Sequence, residues 1–400
     1  MKIPFSPPDI TEQEAQEVTA ALLSGWITTG PRTKKLESEI ASLCRVEKAV
    51  CLSSATASLE SILQMLGIGP GDEVITTAYT YTATASVVCH IGATLRFVDS
   101  QKDSLEMDYD QMADMINERT KAVIPVDLAG IPCNYEKVFA AVESKRQLFR
   151  PNNDLQKSFG RVIVVADGAH ALGAQWRGKM VGEIADFTSF SFHAVKNFTT
   201  GEGGALTWRN HEGIDNEKMY KEFQLLTLHG QSKDALEKSA LNAWEYDIIY
   251  PGYKRNMTDV VAAIGLVQMK RFPAMLARRR QLIERYNEAL KDEQVSVLPH
   301  FTDDYTSSGH LYLVRLTGRN SEERNGIINQ MAERGIATNV HYKPLPMMTA
   351  YKRLGFDIKD FPNAYHYFEN EITLPLYTKL TDEQVEFILQ NFKEVLNIKH

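Results

Sequence analysis

Short apolar runs alternate with amphipathic helical patterns over the first two thirds of this chain. Seven of the runs have the length and flanking turn residues of buried strands, at residues 49–52, 73–77, 95–98, 121–126, 162–166, 187–191 and 205–208. Alternation of this kind is typical of parallel strands joined by helical crossovers. The sequence therefore predicts an α/β fold built on a large, mostly parallel, seven-stranded sheet.

The pattern changes near residue 257, where long helical segments replace the alternation. A helix is predicted over 266–290 with a break at Pro273, followed by a strand at 310–315 and a final helix after Thr381. A chain of 400 residues usually divides into two domains. We predict a large domain over 1–256, with a polar surface excursion near 150–159, and a smaller α+β domain over 257–400.

Charge and composition exclude several classes of function. The formal net charge is −7, whereas general nucleic-acid binding requires clustered Lys and Arg. We find neither a secretory signal nor a run approaching the roughly 20 apolar residues of a membrane span. The four cysteines are scattered and form no metal-binding pattern. We expect a cytoplasmic protein without a metal ion, a nucleic-acid partner or membrane association.

Lys196 lies between an apolar strand and a glycine-rich turn, in the stretch SFSFHAVKNFTTGEGG over residues 189–204. Partial desolvation there lowers the pKa of a lysine and frees its amine to form a Schiff base. The alternative is an ordinary surface lysine on a loop.

Asp167 ends the apolar run VIVVAD, and His170 follows three residues later. A carboxylate at the end of a buried strand is costly unless a positive partner meets it. A protonated pyridine nitrogen would be such a partner. The alternatives are a helix-capping Asp and a structural histidine.

Two further segments also follow predicted strands. Residues 53–57, SSATA, place small side chains and the Thr56 hydroxyl at a helix start, where a phosphate can bind. Tyr79 and Tyr81 follow the next strand, where an aromatic ring can stack on a flat heterocycle. An ordinary helix cap and core packing are the alternatives. Ligands of open α/β sheets bind at the ends of strands, so we expect these segments to form one site.

With these residues in view, the chain resembles the DegT/StrS nucleotide-sugar aminotransferases, which have the pyridoxal-phosphate (PLP) fold type I. Within that family it is most similar to the UDP-4-amino-4-deoxy-L-arabinose aminotransferases. The motifs that carry the resemblance lie at residues 24–31, 53–57, 69–74, 190–197, 201–204 and 251–259.

The resemblance implies a role for each site residue. Lys196 holds PLP as a Schiff base and shuttles protons, and Asp167 pairs with the pyridine nitrogen. Tyr81 stacks on the ring, where the arabinose branch usually has tryptophan. Further implied cofactor contacts are Ala55, Thr56, His170 and Ser191, with Asn256 donated by the other subunit; implied sugar-nucleotide contacts are Thr28, Thr29, Tyr253 and His341.

The implied reaction takes an amino group from glutamate, releases 2-oxoglutarate and aminates a 4-keto sugar nucleotide. The implied assembly is a homodimer with shared active sites. Amination at a 3-keto position, a PLP-binding regulatory protein without turnover and a PLP lyase or decarboxylase are the alternatives. The pathway stays open among lipopolysaccharide (lipid A) modification, surface glycan synthesis and secondary metabolism.

Overall fold

A computed structural model describes residues 1–233, 235–238 and 244–397 of the chain. The helices within these residues are α1 (Glu12–Leu23), α2 (Pro31–Cys44), α3 (Ala55–Met65), α4 (Thr82–His90), α5 (Tyr109–Met115), α6 (Tyr135–Ser144), α7 (Asp154–Phe159), α8 (Asn216–Thr227), α9 (Ala235–Lys238), α10 (Asp259–Leu290), α11 (Ser321–Glu333), α12 (Thr349–Arg353), α13 (Pro362–Glu369) and α14 (Asp382–Leu396). The strands are β1 (Ala49–Leu52), β2 (Glu73–Thr77), β3 (Thr94–Val98), β4 (Thr120–Ile124), β5 (Ile163–Asp167), β6 (Gln175–Trp176), β7 (Lys179–Met180), β8 (Phe187–Ser191), β9 (Gly204–Trp208), β10 (Val295–Val297), β11 (Tyr305–Thr306), β12 (Tyr312–Leu316) and β13 (Glu371–Leu374).

The large sheet has seven strands in the order β1-β9-β8-β5-β4-β2-β3. Only β9 runs against its neighbours, and β8, β5, β4, β2 and β3 are parallel. The predicted mostly parallel sheet is confirmed, with strand ends within two residues of the predicted ones. Because β5 lies between β4 and β8, their carboxyl ends meet at one edge of the sheet, where ligands of such folds bind.

The longest helix, α10, joins two hydrophobic cores. Its first half packs with the large sheet through Leu266 and Phe272, and its second half packs with the C-terminal sheet through Leu282 and Tyr286. The predicted break at Pro273 is wrong, because the helix continues through it. Proline removes only one backbone hydrogen bond there, and buried side chains on both sides keep the helix continuous.

Helix α10 also corrects one expectation drawn from hydropathy. An 18-residue stretch of it has a mean hydropathy of 1.4, which satisfies the length and composition rule for a membrane span. The expectation that no segment approaches this rule is therefore wrong for α10. A single such helix is weak evidence for a span, since 44% of the stretch is buried against the rest of the protein.

The C-terminal part contains the antiparallel sheet β10-β12-β13, covered by α11 and α14. The predicted strand at 310–315 corresponds to β12, and the predicted last helix is α14, which begins with a capping box formed by Thr381 and Gln384. The predicted domain boundary at residue 257 falls two residues before α10. It stays a prediction, since α10 contributes to the cores on both sides.

The excursion near 150–159 is fixed to the body of the protein by amides. Asn152 Nδ2 donates to both carboxylate oxygens of Asp72, each at 2.9 Å, and Asn153 Nδ2 donates to the carbonyl of Leu66 at 2.9 Å. The buried Gln156 donates to the same carbonyl at 2.8 Å. These bonds give the excursion a structural role, and the bond of Gln156 contributes most, because leaving a buried amide unpaired destabilises the folded protein.

Candidate active site

A cavity of about 580 Å³ opens where the carboxyl ends of β5 and β8 meet the first turn of α3. A volume of this size suits a cofactor or small ligand. The cavity brings together eight sequence-predicted site residues, namely Ala55, Thr56, Tyr81, Asp167, His170, Ser191, Lys196 and His341.

Lys196 lies in the turn that follows β8, with its backbone N–H bonded to the carbonyl of His193 at 2.9 Å. Its side chain points into the cavity, where surrounding protein replaces most of the water. Burial lowers the pKa of the Lys196 amine to about 8, although the nearby Asp167 charge opposes this shift. A free amine is therefore available close to neutral pH, as nucleophilic lysines require.

We expect the apoprotein to capture PLP at a rate that follows this pKa. The neutral fraction of an amine with a pKa of about 8 rises from roughly a tenth at pH 7 to roughly nine tenths at pH 9, so capture should accelerate about tenfold. Stopped-flow absorbance measures the rate, and Lys196→Ala supplies the background from other lysines. A rate that keeps climbing steadily to pH 10 would place the pKa at its ordinary value and contradict the buried setting.

Asp167 ends β5 and is buried. Thr84 Oγ1 donates to its Oδ2 at 2.6 Å, and the Ala169 N–H donates to its Oδ1 at 3.1 Å. Burial raises the pKa of this carboxyl, while those hydrogen bonds and Lys196 act in the opposite direction. A cationic ligand group beside Asp167 would favour its ionised form further.

His170 is held as a neutral ring with a defined tautomer. The backbone N–H of Ala129 donates to His170 Nδ1 at 3.2 Å, so that nitrogen must carry a lone pair. The proton then sits on Nε2, which lies 3.3 Å from the Tyr342 hydroxyl. Burial holds the pKa of His170 well below its usual value, so the ring stays uncharged.

The first turn of α3 presents free backbone donors to the cavity. Ser54 caps the helix, and bonds from Ala57 to Ser54 Oγ and from Ser58 to the Ser54 carbonyl use those two N–H groups. Within the described chain, the N–H groups of Ala55 and Thr56 have no hydrogen-bond acceptor. Free N–H groups at a helix N-terminus form an anion site, which fits the predicted phosphate contacts.

Gly204 permits the close approach of α3 to the sheet. A Cβ on this residue would lie 2.5 Å from the Ala55 nitrogen and 2.7 Å from the Phe190 carbonyl oxygen. Both contacts are with backbone atoms, which cannot move away from the added Cβ without shifting α3 or β8.

We therefore expect Gly204→Ala to displace the first turn of α3 and to weaken PLP binding by the equivalent of about 1–3 kcal/mol, a typical cost of overpacking. Fluorescence titration of the apoprotein measures the change. Gly326→Ala is the matched control, because a Cβ on this helical glycine meets nothing within 4 Å. Equal PLP affinities for both variants would contradict the proposed contact.

Tyr81 and His341 also line the cavity. Tyr81 is 59% exposed and its ring lies 5.8 Å from that of Tyr342, tilted by 44°. His341 stacks on Phe5, and its Nδ1 lies 2.9 Å from Thr373 Oγ1. Ser191 Oγ lies near the turn after β8, where it accepts from the His193 N–H at 3.4 Å. An exposed aromatic ring at the cavity rim is available to stack on a bound heterocycle.

The remaining predicted residues lie outside this cavity. Asn256 Nδ2 donates to Thr29 Oγ1 at 2.5 Å, and the carbonyl of Thr28 accepts from the Asp259 N–H at 3.1 Å. Tyr253 is 42% exposed and stacks against the Arg255 guanidinium. A single chain does not bring these residues to its own cavity, so their roles stay predictions.

Sequence reasoning missed several residues that shape the site. Thr84 reaches Asp167 from 83 positions away, and Tyr342 meets His170 from 172 positions away. Asn339 and Tyr342 line the cavity beside the predicted His341. For Asn339 and Tyr342 the one available signal was their closeness to His341 in the sequence. No local sequence pattern indicated Thr84.

The match to a family model decides the assignment. Residues 8–393 match the DegT/DnrJ/EryC1/StrS aminotransferase family. The chain belongs to this family. Spr1654 from Streptococcus pneumoniae, assigned to the sugar aminotransferases, is 55% identical, with a TM-score of 0.96 over 99% of this chain and 98% of that one. It has also been solved in PLP and PMP forms.

Two further relatives of this family member have names that mention carbohydrate pathways. The spore coat polysaccharide biosynthesis protein SpsC of Bacillus subtilis is 36% identical, over 98% of this chain and 97% of its own length. PseC of Helicobacter pylori, an aminotransferase of pseudoaminic acid biosynthesis, is 28% identical, with a TM-score of 0.84 over 99% of each chain. The family and the PLP fold type I that the sequence indicated are thereby confirmed, while the arabinose branch stays a prediction.

Proposed function

We propose that this PLP-dependent sugar aminotransferase takes its amino group from glutamate and transfers it to the keto carbon of a 4-keto sugar nucleotide. The observation that carries this proposal is Lys196, a half-buried lysine whose amine has its pKa lowered to about 8 and faces Asp167 in one cavity. Family relatives with carbohydrate pathways in their names support a sugar as the acceptor.

The residues of the cavity fit PLP. Lys196 supplies an amine for an aldehyde, the free N–H groups of Ala55 and Thr56 supply a phosphate site, and Asp167 supplies a buried carboxylate for a protonated ring nitrogen. Tyr81 supplies an aromatic surface at the rim. When bound, PLP serves as an electron sink that stabilises negative charge on the carbon attached to the transferred nitrogen.

The protein's own groups then govern proton movement and orientation. Lys196 Nζ takes a proton from Cα of glutamate, and later returns a proton to the sugar carbon that receives the amine. Its pKa of about 8 suits both directions, because a proton shuttle works best near the operating pH. Thr84 and the Ala169 N–H hold the Asp167 carboxylate in place through their two hydrogen bonds.

A homodimer with shared active sites forms part of the proposal. Asn256 is half-buried, and the segment that precedes it in the chain exposes large apolar side chains, among them Tyr253 (42%), Ile249 (55%) and Trp244 (78%). Exposed apolar side chains of this size are typical of protein interfaces. In this arrangement Asn256 reaches the phosphate of the partner subunit's site, in keeping with its absence from the cavity of its own chain.

Half-reactions with defined substrates test the proposal. Purified protein with PLP is mixed with glutamate, and the absorbance change and released 2-oxoglutarate are measured. The aminated protein is then given UDP-4-keto-pentose, a nucleotide 4-keto-6-deoxyhexose or a nucleotide 3-keto sugar, and the product is identified by NMR. We expect reversion of the spectrum with a 4-keto sugar and a 4-amino product. Turnover of the 3-keto sugar alone would show that the substrate is a 3-keto rather than a 4-keto sugar nucleotide. No response to glutamate would favour a PLP-binding protein without turnover.

A further inference from the structure

A hydrogen-bonded chain leads from the cavity into the C-terminal core. His341 Nδ1 lies 2.9 Å from Thr373 Oγ1, which lies 2.6 Å from Glu371 Oε1. The other carboxyl oxygen, Glu371 Oε2, accepts from the backbone N–H of His341 at 2.9 Å. Both Glu371 and Thr373 belong to β13 and are fully buried, whereas His341 lines the cavity.

Only two arrangements of protons satisfy this chain. Burial lowers the pKa of His341 to about 3, so the ring is neutral and one of its nitrogens carries the proton. If Glu371 is ionised, Thr373 donates to it and accepts from Nδ1–H, which leaves a lone pair on Nε2. If Glu371 is protonated, it donates to Thr373, Thr373 donates to Nδ1, and the proton sits on Nε2.

The Nε2 atom of His341 is the nitrogen left for a ligand. Among the described residues Nε2 has no hydrogen-bond partner, whereas Nδ1 contacts Thr373. We propose that Glu371 and Thr373 are positioning residues that decide which nitrogen of His341 carries the proton, and hence whether its cavity edge donates or accepts a hydrogen bond. The Tyr79 hydroxyl donates to the His341 carbonyl at 3.0 Å and helps to fix the backbone of His341.

The groups around Glu371 favour its protonated form at neutral pH. Burial raises the pKa of Glu371 to about 8, against the hydrogen bonds from Thr373 and His341 and the charge of Arg324. Tyr79, Tyr342 and Tyr367 also face it, and burial raises the pKa of each of them, so they remain neutral. Lys196, which faces His341, is the other group that titrates in the same range.

With Glu371 protonated, His341 presents an N–H donor to the cavity. A donor at this position suits a keto oxygen, and it suits the oxygen that leaves as water when the amine replaces it. This part of the inference rests on the proposed function, because it assigns His341 to the sugar half-reaction. As the pH rises through about 8, Glu371 loses its proton and the edge becomes an acceptor, so the donor is lost on the alkaline side.

The tautomer can be measured in the apoprotein without any substrate. Protein labelled with ¹⁵N-histidine is titrated from pH 6.5 to pH 9.5, and His341→Gln assigns the ring signals. We expect the proton of His341 to move from Nε2 to Nδ1 in wild type and to stay on Nε2 in Glu371→Gln, whose amide mimics the protonated acid. Lys196 titrates in both proteins, so it cannot produce the difference. Identical titrations in the two proteins would overturn the proposal, whatever the sugar proves to be.

Single-turnover kinetics give a second readout for Thr373. Replacing it by Val keeps the shape but breaks the chain, whereas Thr373→Ser keeps the hydroxyl. We expect Thr373→Val to slow the sugar half-reaction about tenfold, as the loss of one hydrogen bond does, and Thr373→Ser to change it less than about threefold. The glutamate half-reaction should be unchanged in both. Equal slowing of both half-reactions by Thr373→Val would show a general structural role and contradict the assignment.

Discussion

Lys196→Ala is expected to abolish transamination. Both half-reactions should slow by roughly 10²–10⁴-fold through loss of proton transfer alone, and further through loss of the covalent link to PLP. The reason is structural, since Lys196 is the lysine that lines the cavity among the described residues, and about half of its amine is neutral near pH 8. Release of 2-oxoglutarate from glutamate in a single turnover measures the effect.

Lys196→Arg is the matched variant for this test. It keeps a positive charge near Asp167 but cannot form a Schiff base, and its pKa is too high for proton transfer near neutrality. We expect it to be as inactive as Lys196→Ala, although closer to wild type in thermal stability. If either variant kept more than about a tenth of the wild-type rate, Lys196 would not be the catalytic lysine, because proton transfer by a positioned group contributes at least about 10²-fold.

Asp167→Asn should produce the second largest loss. The amide oxygen can keep one of the two hydrogen bonds that Asp167 accepts, the one from Thr84, while the substitution removes the negative charge that would hold a proton on the ring nitrogen of PLP. We expect the glutamate half-reaction to slow by about 10²–10⁴-fold, comparable to the loss of other charged orienting groups in active sites. Stopped-flow absorbance of the bound cofactor measures this rate, and it also reports whether PLP still binds.

Asp127→Asn is the internal control for that substitution. Asp127 is also fully buried, and its N–H donates to the carbonyl of Asp167 at 3.0 Å. Its own carboxyl accepts from the Cys133 N–H and the Tyr135 hydroxyl, and burial raises its pKa to about 7. Because much of it is already neutral near pH 7, we expect Asn here to change the rate less than about threefold. Equal losses at both positions would point to a general packing effect.

Much of the fold could be predicted from the sequence because the signals were local. Strand periodicity and turn residues placed all seven strands of the large sheet, and the last helix begins after Thr381 as predicted. Pro273 misled the prediction, because its helix-breaking tendency is local while the packing that overrides it is not. The hydropathy of α10 likewise required the structure, since the burial of its apolar face depends on other helices.

Part of the site was also accessible from the sequence. Lys196, Asp167 and the start of α3 each follow a predicted strand, and the carboxyl ends of parallel strands share one edge of a sheet. The local sequence pattern therefore predicted that these residues form one site. It could not place Asn256, Thr28, Thr29 or Tyr253, which the single chain leaves outside its cavity.

The sequence by itself determined where the seven strands lie along the chain. It also identified the amine, the carboxylate and the helix start that face the cavity. Tertiary structure alone decided which distant groups tune them, such as Thr84 beside Asp167 and Glu371 behind His341. The physical reason is that hydrogen bonds and burial act over a few ångströms in space, regardless of separation along the chain. A periodic pattern records which face of a strand or helix is buried, but not what lies against that face.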